Sequence, residues 1–390
     1  MKTALSFYAF EPGAPGVPAT SANGVYIAAL VQLLGRNADR LDARVAWLRP
    51  AAPRTTGRAA AGLAALRWLA GEFWRLLTDR SRYLLFLYPK IPVLAHLSQP
   101  TLLSLALLGY RLLRLKAKLT GQRIVVIIAD LPIEQAEGKQ AAGGPPAELH
   151  APQLRAIERS FLRAAHLIVT PLGYVDTIVE LHGIEPDRFR TFRRNIYLPA
   201  VEVEDAFDVG FEAGDVNFFY SGAIDTTIAP NFRQVLRSIQ NAPQARLHVC
   251  GPGREAMEKW LEELGITNAR HYGQLNLAAH DWLAGRCDAG LILWPTDNPY
   301  CHLTPTSKYS AYLANGLAVL STDLEAIAEN IRNDGVGQAM PINELSLELL
   351  RWAARPSLFA GFKNRARQLA DVVRGGNEMD GWIEEIAEGK

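Results

Sequence analysis

Segments such as Ile124–Ala129 (IVVIIA) and Gly290–Trp294 (GLILW) are apolar at every position, not at every second one. A strand with one face in water alternates. A strand that is apolar throughout needs cover on both faces, the condition inside a parallel sheet flanked by helices. Further strands are predicted at Ala4–Phe10, Arg44–Leu48, Tyr83–Tyr88, Arg123–Ala129, His166–Thr170 and Phe189–Phe192. A second set follows at Val216–Tyr220, Arg246–Cys250, Arg270–Tyr272, Gly290–Trp294 and Ala318–Ser321. Helical patterns separate them, among them Val25–Leu34, Ala60–Leu77, Thr101–Lys118, Pro152–Ala164, Pro230–Gln240, Arg254–Leu264 and Ser307–Ala314. This alternation predicts an α/β protein with doubly wound sheets. At 390 residues the chain is too long for one ordinary core, so two such domains are expected. The first would span residues 1–200 and the second 216–375, with the acidic stretch 201–215 as linker. Segment 376–390 could pack back on the first domain.

The net charge of +1 conceals an asymmetry. Residues 1–200 hold 25 Lys and Arg against 14 Asp and Glu, and the remainder holds 16 against 26. A basic half points to an anionic partner. Within it, Arg58–Lys118 interleaves Trp68, Phe73, Trp74 and many leucines with basic residues such as Arg67, Arg75, Arg111, Arg114 and Lys118. That composition suits a helix lying on an anionic membrane surface, and equally a core helix whose Arg side chains reach outward at its ends. It is too apolar for a solvated nucleic-acid surface, and no nucleic acid is expected. No run of about 18 consistently apolar residues predicts a membrane span. The N-terminal MKTALSFYAF does not read as a secretory leader. Cys250, Cys287 and Cys301 are odd in number and lack metal-like spacing, which fits reduced thiols in the cytoplasm.

Ligands of open α/β sheets bind beyond the carboxyl ends of the strands. Four post-strand loops of the second half are therefore candidates. They carry Ser221, Gly222 and Asp225; Gly251 and Arg254; Tyr272 and Gly273; and Asp297. The last runs into Thr304-Pro305-Thr306-Ser307-Lys308 at a helix start. Backbone N–H groups, hydroxyls and one ammonium at such a start suit a phosphate. Each loop alone reads equally as a turn; together at one sheet edge they suggest a site.

In order, the segments FFYSGAID, LHVCGPGRE, NARHYGQLN, CDAGLILWP and TPTSKYSAYLANGLAVLSTDLEAIAENIRNDGVG resemble the nucleotide-sugar-binding domain of GT-B glycosyltransferases of the family-4-like kind. In the first half, IIADLPIEQ and the stretch from Ala156 to Phe189 resemble the partner domain. The resemblance implies a GT-B fold, two Rossmann-like domains facing a central cleft. It implies that Lys308, Thr306 and Ser307 hold the donor diphosphate with Ser221 and Gly222 nearby. Backbone groups at Tyr272–Gln274 would face the nucleobase. The loop Ser21–Gly24, with Asn23 and Gly24, would approach the donor from across the cleft, and Asp130 and Glu134 would lie near the acceptor. No cofactor and no metal is expected.

The sequence departs from the family pattern. Ala311 and Leu303 stand where paired glutamates are usual, nothing basic follows the first strand of the second half before Arg233, and Ala129 replaces a histidine. The reading is a glycosyltransferase using a UDP- or GDP-linked sugar and a polysaccharide or lipid-linked acceptor. It would be cytoplasmic, on the inner face of the plasma membrane. A sugar-nucleotide epimerase and a non-catalytic partner subunit of another glycosyltransferase are the alternatives.

Overall fold

The computed structural model describes residues 2–10, 22–48, 58–88, 100–141, 151–197, 209, 211–225 and 227–389. Most of the expected linker 201–215 and Ser21 lie outside them. The chain builds two six-stranded sheets in which every paired strand is parallel. The first contains β1 (Thr3–Phe10), β2 (Leu41–Leu48), β3 (Tyr83–Tyr88), β4 (Arg123–Ile128), β5 (Leu167–Pro171) and β6 (Phe189–Phe192), in the order β2-β1-β3-β4-β5-β6. The second contains β7 (Val216–Ser221), β8 (Ala245–Cys250), β9 (Ala269–His271), β10 (Ala289–Ile292), β11 (Ala318–Thr322) and β12 (Gly337–Met340), in the order β12-β11-β10-β7-β8-β9. The second order is the dinucleotide-binding arrangement, with its reversal between β7 and β10. The doubly wound α/β expectation is borne out.

Helices cover both faces of each sheet, as the all-apolar strands require; β3 is buried at all six positions. On the first sheet lie α1 (Ala22–Arg36), α2 (Arg58–Thr78), α3 (Pro100–Thr120), α4 (Pro132–Ala141), α5 (Ala151–Ala164) and α6 (Val175–His182). The second half carries α7 (Ala229–Gln240), α8 (Arg254–Leu264), α9 (Leu277–Ala284), α10 (Pro299–Leu303), α11 (Ser307–Ala314), α12 (Glu325–Asp334), α13 (Ile342–Ala354), α14 (Ala360–Gly375) and α15 (Asn377–Glu388). Stops and starts follow local chemistry. α8 and α12 end on Gly265 and Gly335 in the left-handed conformation, and the Asn276 side chain caps α9.

Three elements were not expected. α4 and α10 are short, begin at prolines and lack an apolar stripe long enough to read. β12, Gly-Gln-Ala-Met, is an edge strand with no apolar run. In addition, α1 begins at Ala22, so Asn23 and Gly24 form its first turn and not the preceding loop.

Among the described residues, several contacts hold the halves together. α10 belongs in sequence to the second half, yet its Tyr300 is buried in a core cluster of the first sheet with Tyr88, Leu131 and Tyr174. Gly138 of α4 makes room for it, since a Cβ there would fall 2.2 Å from Asn298 Oδ1 and 3.0 Å from Tyr300 Cβ. α15 also crosses over. Met379, Trp382, Ile383 and Ile386 pack with Leu5, Phe7 and Leu30, and Arg190 clasps Glu385 at 2.6 and 2.9 Å. Arg194, just past β6, ion-pairs with both Asp334 of α12 and Glu378 of α15. Its side chain is only 14% exposed, so neither carboxylate could be left alone cheaply. Arg194→Ala is expected to lower unfolding stability by roughly 3 kcal/mol, read as a lower urea midpoint in tryptophan fluorescence. An unchanged midpoint would show that the pairs contribute nothing net.

Candidate functional site

The carboxyl ends of β6, β7, β8 and β9 meet the first turn of α11 around a cavity of about 460 Å³. The second domain contributes Ser221–Ala223, Cys250–Pro252, Gln274, Leu275, Leu277, His280, Ser307, Lys308, Ser310 and Ala311. The first contributes Tyr26 of α1 and Asn195–Tyr197. The cavity therefore lies between the two halves, at the switch point of the second sheet.

Its floor is backbone. The ladder of hydrogen bonds continues past the strand ends: Gly222 N–H donates to Cys250 O at 2.9 Å, and Gly251 N–H to Gly273 O at 2.8 Å. These loops cross so closely that a Cβ on Gly251 would sit 2.3 Å from Gly222 O. Gly251 has φ +129° and Gly222 φ +148°, so neither position suits another residue. Above Gly222 lies the Lys308 side chain. A Cβ on Gly222 would meet its Cε at 2.6 Å and its Nζ at 2.9 Å.

Lys308 is partly exposed, into the cavity. Among the described residues its ammonium has no ion pair. Its neighbours are the rings of Trp294 and Tyr220, with centroids 5.2 and 5.9 Å from Nζ. Burial pushes its pKa down to about 8, and the more distant Cys301, Asp225 and Cys250 only partly oppose that. Thr306, buried, caps α11 by accepting from the Lys308 backbone N–H. A half-desolvated cation at a helix N-terminus over a glycine floor suits an anion, which would supply the charge partner that no described residue gives it.

Ser221, Gly222, Gly251, Ser307 and Lys308 of the anticipated set line this cavity. Gly273 sits beside it, in the backbone bond just described. The others are placed elsewhere. Asp225 accepts from Thr227 and Ile228 N–H at 3.0 and 3.1 Å, a turn before α7. Arg254 is exposed and paired with Glu258. Tyr272 turns its hydroxyl to His248 Nδ1, 2.9 Å away. Asp297 is exposed on the outer loop. Thr304 is buried and accepts from Tyr174 at 2.8 Å.

The two carboxylates diverge. Glu134 ion-pairs with Arg155, which also holds the buried Glu158 at 3.0 Å. Asp130 accepts from Tyr300 at 3.0 Å, and Tyr300 lies 2.8 Å from Tyr174. Asp130 therefore belongs to a buried polar chain linking the two halves. Its charge still reaches the cavity: burial first, and then Asp130, raise the pKa of Tyr26, whose hydroxyl has no hydrogen-bond partner among the described residues.

Tyr26, Asn195–Tyr197 and His280 were not anticipated as site residues. Tyr26 follows the N-terminal turn of α1 and so shares the end of the helix that was expected to face the cleft. Asn195–Tyr197 and His280 had no such signal: the place of Asn195–Tyr197 depends on how the halves dock, and that of His280 on the packing of α9 against the end of β7 within the second half. Among the described residues no cluster of His, Cys, Asp or Glu could hold a metal ion.

No protein-family model matches the sequence, and no curated protein matches it. Solved structures do. A sucrose-phosphate synthase from Thermosynechococcus elongatus aligns over 100% of both chains with TM-score 0.66 at 11% identity. HepE from Anabaena, in complex with UDP and glucose, aligns over 97% of this chain and 99% of its own with TM-score 0.57 at 11% identity. A putative UDP-N-acetylglucosamine 2-epimerase from Listeria monocytogenes aligns over 93% and 91% with TM-score 0.55 at 11% identity. The fold is GT-B. At these identities the likeness concerns the fold, and the chemistry must be argued from the residues.

The depressed Lys308 pKa sets a stability test. The folded state binds the Lys308 proton less tightly than the unfolded state, so this residue's destabilising effect is full below about pH 8 and fades as pH rises toward 10.5. Lys308→Met is therefore expected to raise Tm at pH 7 in the absence of ligand, with the gain shrinking at pH 10. A lower Tm at pH 7 would show that the ammonium is stabilised in place.

Proposed function

We propose that this chain is a glycosyltransferase that moves a sugar from a UDP- or GDP-linked donor to a hydroxyl of a saccharide or lipid-linked acceptor. The observation that carries the reading is the Lys308 ammonium at the start of α11, without an ion pair among the described residues, over the Gly222–Gly251 floor of an interdomain cavity. Breaking the glycosidic C–O bond builds negative charge on the leaving diphosphate. Lys308 and the α11 N-terminus would offset that charge, with no metal required. The HepE complex, which holds UDP and glucose, supports the same ligand class for this fold. The nucleobase would lie toward Gln274 and Leu275. Asp130, behind Tyr26, is the proposed base for the acceptor proton; Glu134, spent on Arg155, is assigned no part.

A lipid-linked acceptor is favoured by the outer face of α3. Leu105, Leu108, Leu112, Leu115 and Leu119 recur at helical spacing on that face and are all exposed, Leu119 by 77%. Trp74 of the neighbouring α2 is 69% exposed, and Arg111, Arg114 and Lys118 stand exposed beside the stripe. No helix among the described residues is long and apolar enough to cross a membrane. The stripe would instead lie in the headgroup region of an anionic surface.

Lys308→Ala is expected to weaken UDP or GDP binding by calorimetry at least about thirtyfold, near 2 kcal/mol. Unchanged affinity would remove the basis of the proposal. Asp130→Asn is expected to lower kcat roughly 100-fold while nucleotide affinity stays within about threefold. A normal kcat would exclude Asp130 as base. Wild-type protein should float with phosphatidylglycerol vesicles at low salt, and the double variant Leu112→Glu, Leu115→Glu should not; equal flotation would place the membrane contact elsewhere. The Listeria neighbour raises one other reading, epimerisation. A donor sugar converted without any acceptor present would favour it over transfer.

A further inference from the structure

Beside the same cavity, five polar groups from four elements form one chain. Ser221 Oγ, at the end of β7, lies 2.9 Å from His280 Nε2 of α9. His280 Nδ1 lies 3.0 Å from Asp281 Oδ1. That oxygen also accepts from Tyr197, past β6, at 2.7 Å and from Asn315, at the end of α11, at 3.0 Å. Asp281 is 3% exposed, whereas Ser221 and His280 open into the cavity. The edge of Phe219 packs on the imidazole with centroids 5.2 Å apart. The Cys250 thiol beside Ser221 is pushed up to about 12 by burial and stays neutral. Arg374 is near enough to Tyr197 to act on it electrostatically. Lys308 and the more distant Asp225 complete the charged surroundings.

The tautomer follows from the acceptor. A carboxylate oxygen can only accept, so Nδ1 carries a proton and Nε2 is the nitrogen that faces Ser221. With His280 neutral, the Ser221 O–H donates to Nε2, and Ser221 presents only lone pairs to the cavity. That repels an anion. With His280 protonated, Nε2–H donates to Ser221 Oγ, and the hydroxyl proton is released to turn toward the cavity. The proton gained at Nε2 comes from solvent, and no covalent bond is made or broken.

We propose that His280 is the second cation of the diphosphate site, a positioning residue that takes up a proton when the ligand binds and so turns the Ser221 hydroxyl toward it. This deepens the donor reading and rests on it. It also supplies what the post-β7 loop lacks, since nothing basic stands between Ser221 and Arg233. Asp281, held by Tyr197 and Asn315, keeps the imidazole aimed and stabilises its charged form.

The test is calorimetric titration with UDP and GDP from pH 6 to 9, in buffers of low and high ionisation enthalpy. Wild type should weaken roughly tenfold as pH rises from 6 to 8, and should take up protons on binding there. His280→Gln keeps a hydrogen-bonding partner for Ser221 but cannot charge. It should lose that uptake and vary less than about threefold over the same range, while keeping the Lys308-linked weakening above pH 8. Ser221→Ala, which leaves His280 and its charge in place, should keep the proton uptake while weakening binding below pH 8. A His280→Gln profile that follows wild type below pH 8 would overturn the proposal and leave the donor site standing. Wild type that binds neither nucleotide at any pH would overturn both.

Discussion

Arg194 is the constraint on which the geometry of the site depends. It stands one residue before Asn195, which lines the cavity and donates to Pro305 O at 3.0 Å just ahead of α11. Its guanidinium is committed at once to Asp334 and Glu378, and Asp334 also accepts from Tyr309 of α11 at 2.6 Å. One cation thus ties the end of the first sheet, α11, α12 and the returning C-terminal helix. A planar fork with several fixed donors can serve two carboxylates in a way that an ammonium cannot. Tyr300 does the same at the opposite seam, in the chain that joins Tyr174, Asp130 and Thr304.

With the halves fixed in this way, the Lys308 ammonium faces the cavity with no ion-pair partner among the described residues. Lys308 rests on aromatic rings and glycine backbone, and its lowered pKa is the measure of that deprivation. Such an arrangement trades stability for binding, a common feature of functional sites. Hydrogen bonds between the post-strand loops stiffen the floor, so an arriving anion meets groups already in place. Elsewhere charges are paired: Arg155 with Glu134 and Glu158, Lys363 with Asp288, Arg190 with Glu385.

Parallel strands and their covering helices were legible because burial on both faces leaves its mark on consecutive residues. Lys308, Ser307, Gly222 and Gly251 were legible for a related reason: each sits where a strand ends or a helix begins, and local chemistry marks those places. Asp225, Arg254 and Thr304 carried the same kind of local mark and were placed differently. Asp225 satisfies two backbone N–H groups of its own turn, Arg254 finds a carboxylate one helical turn on, and Thr304 faces Tyr174 from the other domain. A polar side chain near a strand end has several partners within reach, and sequence does not rank them.

By itself the sequence determined the α/β class, the two sheets, and a phosphate-suited helix start at Thr306–Lys308, because these depend on periodicity and on neighbours a few residues apart. Only the tertiary structure decided which side chains surround that helix start. Tyr26, Asn195–Tyr197 and His280 reach the cavity through Arg194, through Tyr300 and through the crossing of Gly222 with Gly251. Those contacts join residues far apart along the chain, some within the second half and some across its docking with the first, and no local pattern encodes such meetings.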